Sequence, residues 1–315
     1  MAEYGSDELE ERLYSACEKG DIEETQQLLT NSQINLNCQD VDGLTPLLIA
    51  CEYGHIGIVE LLLNDERVDR NVSEYEHGET PFYTACENGS IEIVELLLND
   101  ERVEINQENN YGWTPFFNAC RKGNVEIVKL LLNHQRVDIN KAEDDDDTPL
   151  HIACRKGQIE IVKLLLNDQR VDINVLNKSN QTPFYIACFY GLIKIVKLLL
   201  NDERVDINKL NNDGWTPLYS ACTFGYLEIV QTILASGREV DLNIKNNNGK
   251  TAIDITRKVE KEPKKIWEPE QYFQEKRRKY VNIIKLLEAF ENNPNETRFK
   301  LRIEIGLAGN LIFFN

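Results

Sequence analysis

A threonine-proline pair recurs at Thr45-Pro46, Thr80-Pro81, Thr114-Pro115, Thr148-Pro149, Thr182-Pro183 and Thr216-Pro217, and Thr251-Ala252 keeps the phase. The period is 34 to 35 residues. A fixed period of that length marks stacked supersecondary units, each too small to bury its own apolar face, so the array is expected to form one continuous core. Cysteine follows the same rhythm. Cys17, Cys51, Cys86, Cys120, Cys154, Cys188 and Cys222 fall 34 or 35 residues apart. They therefore mark one repeated position, expected to be a small, buried, reduced thiol rather than half of a disulfide. No close pair of Cys or His offers zinc a ligand set.

Within one period the residues prescribe the local structure. Threonine suits an N-cap and proline the first helical position, so each pair starts a helix. Gly54, Gly89, Gly123, Gly157, Gly191 and Gly225 stand nine residues after their threonines. That is where a short helix closes with a left-handed residue. A second helix follows, with a wide apolar face such as Ile91, Ile93, Val94, Leu96, Leu97 and Leu98. A polar stretch, NDERVDIN in its commonest form, then leads to a tight turn such as Asn212-Asp213-Gly214.

The ends of such a stack must differ from its middle. Leu13, Tyr14, Ala16, Cys17 and Gly20 begin a unit without Thr-Pro, flanked by Glu8, Glu10, Glu11 and Arg12, which reads as a solubilising cap. We expect an acidic segment at 1–8, a cap repeat at 9–41, six regular repeats over 42–247, a closing repeat at 248–290 and a tail at 291–315. The closing repeat is expected to carry an insertion at about 258–275, a loop with Trp267 anchored between Pro263 and Pro269. The tail, with Leu311, Ile312, Phe313 and Phe314 near its end, is expected to fold back on the last repeat or, alternatively, to offer a docking segment.

The string xDGxTPLxxACxxGxIEIVxLLLNxxxVDIN, as from Asp42 or Asp213, resembles the ankyrin repeat over about nine-tenths of the chain. The resemblance implies an all-α solenoid of about eight stacked antiparallel helix pairs, with projecting turns and a concave binding face. Of the family's Thr-Pro-Leu-His signature only His151 keeps the histidine; Leu48, Tyr83, Phe117, Tyr185 and Tyr219 replace it elsewhere. Asp146 and Asn180 stand where the turn glycine belongs, and Asx side chains tolerate the left-handed region best. The loops after the second helices are longer and more charged than is usual in the family.

Function is sought where the copies differ. Before the helical threonines stand Leu44, Glu79, Trp113, Asp147, Gln181, Trp215 and Lys250, and tryptophan at an exposed turn is what an interface hot spot uses. By analogy with the family, residues at the ends of the first helices line the concave face. The candidate partner-binding set is Tyr111, Trp113, Arg121, Lys122, Arg155, Lys156, Phe189, Tyr190, Trp215 and Phe224. It grades from a basic centre to an aromatic end and fits a protein segment with acidic and apolar parts. The alternative for the bases is neutralisation by Asp144 to Asp147.

The chain is expected to be a monomeric adaptor or inhibitor without cofactor. A net charge of −18 excludes general nucleic-acid binding, which needs a concentrated basic face. No apolar run reaches membrane-spanning length, and the acidic start MAEYGSDELEERLY lacks a signal-peptide stretch, so a cytoplasmic location is expected. Lys276-Arg277-Arg278-Lys279, in a stretch with ten Lys or Arg against five Glu, would allow nuclear import but reads first as a solvated helix face. No phosphate-binding loop, HExxH or GxSxG occurs, and His55, His77, His134 and His151 sit at unlike positions of different repeats. A second reading makes the chain a substrate for an asparaginyl hydroxylase at Asn140, Asn174 or Asn208; a cryptic enzyme is a remote third.

Overall fold

A computed structural model describes residues 6–306. The chain divides within one helix into two compact units, Met1–Ile152 and Ala153–Asn315. The first unit contains α1 (Ser6–Lys19) and α2 (Ile22–Leu29), α3 (Pro46–Glu52) and α4 (Ile56–Leu63), α5 (Pro81–Asn88) and α6 (Ile91–Asn99), and α7 (Pro115–Lys122) and α8 (Val125–Leu132). The boundary falls in α9 (Pro149–Lys156). The second unit continues with α10 (Ile159–Asn167), α11 (Pro183–Phe189) and α12 (Ile193–Leu200), α13 (Pro217–Thr223) and α14 (Leu227–Ala235), α15 (Ala252–Glu260) and α16 (Glu270–Asn292), and α17 (Pro294–Glu304).

The threonines do what their position predicts. Oγ1 of Thr45, Thr80, Thr114, Thr182 and Thr216 accepts the amide N–H three residues on, at 3.0 to 3.2 Å. Thr251 forms a capping box with Asp254. At the far end Gly89, at φ 72°, donates its N–H to the Ala85 carbonyl and stops α5 after two turns. Asp146 and Asn180 take the left-handed conformation at φ 61° and 54°.

Within each unit the first helices pack on one another as one layer and the second helices as another. The first layer is nearly all core: Pro, the two residues after it, Ala and Cys are buried in every regular repeat. All eight cysteines are buried and none is in a disulfide. Burial pushes the Cys17 and Cys222 thiols up to about 12, so they pack as hydrophobes.

The histidine signature is replaced by a different bond between repeats. His151 keeps its contact within the repeat, its Nδ1 accepting the Thr148 amide at 3.0 Å. Where tyrosine stands instead, its hydroxyl accepts from an asparagine of the next turn: Tyr83 from Asn109 in the first unit, Tyr185 from Asn211 and Tyr219 from Asn246 in the second. A second series runs along the loops. Nδ2 of Asn37, Asn71, Asn106, Asn174 and Asn208 donates to a carbonyl of the next loop at 2.7 to 2.9 Å. Asn174 and Asn208, considered above as hydroxylation sites, thus build the stack.

Two features of the closing repeat differ from expectation. The connection is only 261–269, because α15 runs to Glu260 and α16 already starts at Glu270, with Pro269 at its N-cap. Trp267 is not anchored: it is 80% exposed, with only the Lys265 ammonium 5.8 Å from its ring. The tail folds back as α17 on α14 and α16, burying Leu301, while Leu311 to Phe314 lie outside the described residues.

Candidate protein-binding surfaces

In the first unit the side chains at the end of α7 are set by the turn before it. Asn109 Oδ1 accepts the N–H groups of Tyr111 and Trp113 at 3.0 and 3.1 Å, which places both rings at the edge of the helix. Residues 113, 117 and 121 then share one face at helical spacing. The Trp113 ring lies 6.0 Å from Phe117, 5.2 Å from Tyr111, and 4.3 Å from the Arg121 guanidinium carbon. Trp113 and Trp215 were expected to project at exposed turns. Both are instead half-buried, because each ring gains more by lying back over its own helix than by standing in water. Tyr111 is the exposed member of the group and also meets His77 at 5.9 Å.

The charges on this face pair between repeats. Lys122 takes Glu87 at 2.8 Å, so its counter-charge comes from the preceding repeat rather than from Asp144 to Asp147. Burial raises the Glu87 carboxyl, but the Lys122 ammonium overrides it and holds the group below its ordinary value. Glu79, beside Glu87, is pushed up to about 7 by burial and by the Glu87 charge. Sequence reasoning did not single out this pair, because Glu79 stands in the turn before Thr80 and Glu87 at the far end of α5, and only the fold brings them together.

In the second unit Asn211 repeats the role of Asn109, holding the amides of Asp213 and Trp215 at 3.0 and 2.9 Å, and the Trp215 ring packs 4.9 Å from Tyr219. The ends of α11 and α13 carry the larger apolar surface. Phe189 meets Phe224 edge-on at 4.9 Å and Tyr190 at 5.1 Å, and Phe224 stacks on Tyr226 at 5.9 Å. Tyr190 is 50% and Phe224 42% exposed. Arg155, half-buried, and Lys156, exposed, end α9 in the same unit. Tyr226, the N-cap of α14, joins this cluster although the sequence alone does not single it out.

Among the described residues no three His, Cys, Asp or Glu side chains are placed to hold a metal ion. No described helix is long and apolar enough to cross a membrane. His55 bonds the Glu18 carbonyl at 3.0 Å and His151 is buried against Thr148, so both serve the stack.

Paired short helices with threonine caps, stacked in two layers within each unit and joined by asparagine-rich turns, define a helical-repeat array. The family described as "Ankyrin repeats (3 copies)" matches residues 13–109, 101–177 and 169–246. The chain belongs to the ankyrin-repeat family, whose members are generally protein-protein interaction modules and typically not enzymes. Among solved structures it is similar to the crystal structure of EF0377, an ankyrin repeat protein, with 27% identity and a TM-score of 0.55 over 66% of this chain and 96% of that one. No curated protein matches the chain.

Proposed function

We propose that the chain is a non-enzymatic scaffold that captures a protein segment on the aromatic surface of its second unit. The observation that supports this reading is the Phe189, Tyr190 and Phe224 cluster, apolar and half-exposed on a rigid layer of short helices. Surface aromatics of this kind, held in place by one another, provide contact area at small entropic cost, which is what an interface anchor requires. Arg155 and Lys156 offer cations to an acidic part of the same segment. In the first unit Tyr111, Trp113, Arg121 and Lys122 form a second, more polar surface, where Tyr111 is the exposed ring.

The test is selection of peptides from a displayed random library on the intact chain, followed by fluorescence anisotropy on a Phe189→Ser, Tyr190→Ser, Phe224→Ser variant with unchanged circular dichroism and melting. Selected peptides are expected to carry an apolar anchor near acidic residues and to bind the variant about tenfold more weakly or worse, the loss of roughly one hot spot. Equal binding to both proteins would remove the aromatic cluster from the working surface.

A further inference from the structure

Each loop after a regular second helix carries an arginine at one position: Arg67, Arg102, Arg136, Arg170, Arg204 and Arg238. In four of these loops the arginine is clamped by an aspartate two residues earlier, Asp65, Asp100, Asp168 and Asp202, at 2.5 to 2.6 Å. Two loops lack the clamp: His134 stands at the aspartate position before Arg136, and the last loop departs further. Where Arg204 is preceded by Asn201-Asp202-Glu203, Arg238 is preceded by Ala235-Ser236-Gly237, so both acids are gone.

Helix α17 brings two more cations to the same place. Arg298 directs Nε at the Leu234 carbonyl and Nη2 at the Arg238 carbonyl, both at 3.4 Å, and Arg302 donates Nε–H to the Ala235 carbonyl at 2.9 Å. Arg238 itself reaches the carbonyls of Asp202, Glu203 and Val205 at 2.7 to 3.2 Å. Gly237 takes the left-handed φ of 87°, and a Cβ there would stand 2.6 Å from Nη2 of Arg302, which would have to swing aside. The glutamate or glutamine that the other loops carry at this position would be strained in that left-handed conformation.

The three guanidinium groups border a cavity of about 560 Å³, with Phe299 as its apolar wall. Glu203 is the one acid on its rim, and among the described residues no carboxylate lies within ion-pair distance of Arg238, Arg298 or Arg302. Each guanidinium has five N–H donors, and Arg302 spends one of them on protein. Burial and the neighbouring Arg302 charge both disfavour the cation of Arg298, holding its pKa below the ordinary arginine value. In a chain of net charge −18, three convergent arginines with no ion-paired carboxylate among the described residues are a local exception.

We propose that this cavity is an oxyanion site that takes a phosphate monoester between Arg238, Arg298 and Arg302. A phosphate dianion matches the planar forks of arginine and supplies the missing counter-charge. The volume beyond the phosphate, walled by Phe299, accommodates the group that the phosphate esterifies.

The test uses the full chain and calorimetric titration at low ionic strength with three probes: inorganic phosphate, phenyl phosphate and a short phosphoserine peptide. Saturable one-site binding is expected, weakened about tenfold or more in Arg302→Gln, the loss of a charge-assisted bond. Ser236→Asp restores the aspartate of the other loops; it is expected to abolish binding without lowering the melting temperature, and so holds even if Arg302→Gln loosens α17. Arg136→Gln, in a loop that has His134 at the aspartate position but no further arginines, should bind as the parent does. Tightest binding of the peptide identifies a phosphorylated partner as the source, and tightest binding of inorganic phosphate or phenyl phosphate a small ligand. No saturable binding of any probe, or parental binding by both Ser236→Asp and Arg302→Gln, overturns the proposal.

Discussion

The phenol oxygen of Tyr83 accepts a hydrogen bond from Nδ2 of Asn109, 3.1 Å away in the turn of the next repeat, and both groups are buried. Through its other atom, Oδ1, Asn109 holds the amides of Tyr111 and Trp113. A core tyrosine is thus joined to the turn that orients an aromatic surface. Removing the phenol leaves a buried amide donor unsatisfied, so Tyr83→Phe is expected to cost about 1–3 kcal/mol in urea unfolding. Asn109→Ala, which also frees the turn amides, is expected to cost more. A Tyr83→Phe protein as stable as the parent would show that water satisfies Asn109 and that the bond contributes little.

Glu79 makes stability fall toward high pH. Its carboxyl titrates near 7 in the folded chain because of burial and Glu87, against about 4.3 in an unfolded one. Between these values the folded state binds the extra proton, so this contribution is complete below about pH 4.3 and lost as pH rises through about 7. Glu79→Gln is expected to stabilise the protein at pH 8, on the order of 1–2 kcal/mol after allowing for partial exposure, and to flatten the profile between pH 5 and 7. An unchanged slope in that window would place the titration elsewhere.

The loop aspartates act in the opposite direction. The hydrogen bond from Arg102 holds Asp100 at about 2, below its ordinary 3.8, and Arg67, Arg170 and Arg204 depress Asp65, Asp168 and Asp202 likewise. A depressed carboxyl contributes stability above its unfolded value and loses it as pH falls through the folded one, here from about pH 4 toward about 2. Asp100→Asn is expected to lower stability at pH 7 by about 1–2 kcal/mol, since Arg102 is half-exposed and screened, and to leave a shallower acid limb. Acid titrations followed by circular dichroism for parent and variant read both quantities.

Those loops also show what the sequence carried and what it did not. Helix starts were legible because threonine and proline act on their nearest neighbours: Thr114 caps the Phe117 amide three residues away. The loop charges read only as charge, because their targets lie a whole repeat back; Arg102 donates to Asp100 locally but also to the Leu63 carbonyl. Trp113 stands at the turn that the repeat predicts but is half-buried there, since its partner Arg121 comes onto its face only after two helical turns. The Tyr83 and Asn109 bond had no local signal at all: the pair is 26 residues apart, and each residue has an ordinary role within its own repeat.

Arg70 is the sharpest departure from the repeat and yields the last prediction. It stands where Ile105, Ile139, Ile173 and Ile207 fill the core in other copies, and it is only 4% exposed. Its guanidinium caps the carbonyls of Leu63, Asp65 and Val68 and reaches Asp100 at 3.3 Å. Desolvating such a cation costs several kcal/mol, and a hydrophobic residue of similar volume commonly does as well or better. Neither main partner is stranded by the exchange, because Arg102 still bonds both Asp100 and the Leu63 carbonyl. Arg70→Ile is therefore expected to leave stability in urea unchanged or raise it by about 1 kcal/mol, while Arg70→Ala, which opens a cavity, lowers it by about 3 kcal/mol. If the isoleucine variant lost more than about 2 kcal/mol, the carbonyl bonds of Arg70 would outweigh its desolvation, and this arginine would be a strut of the second loop rather than a tolerated exception.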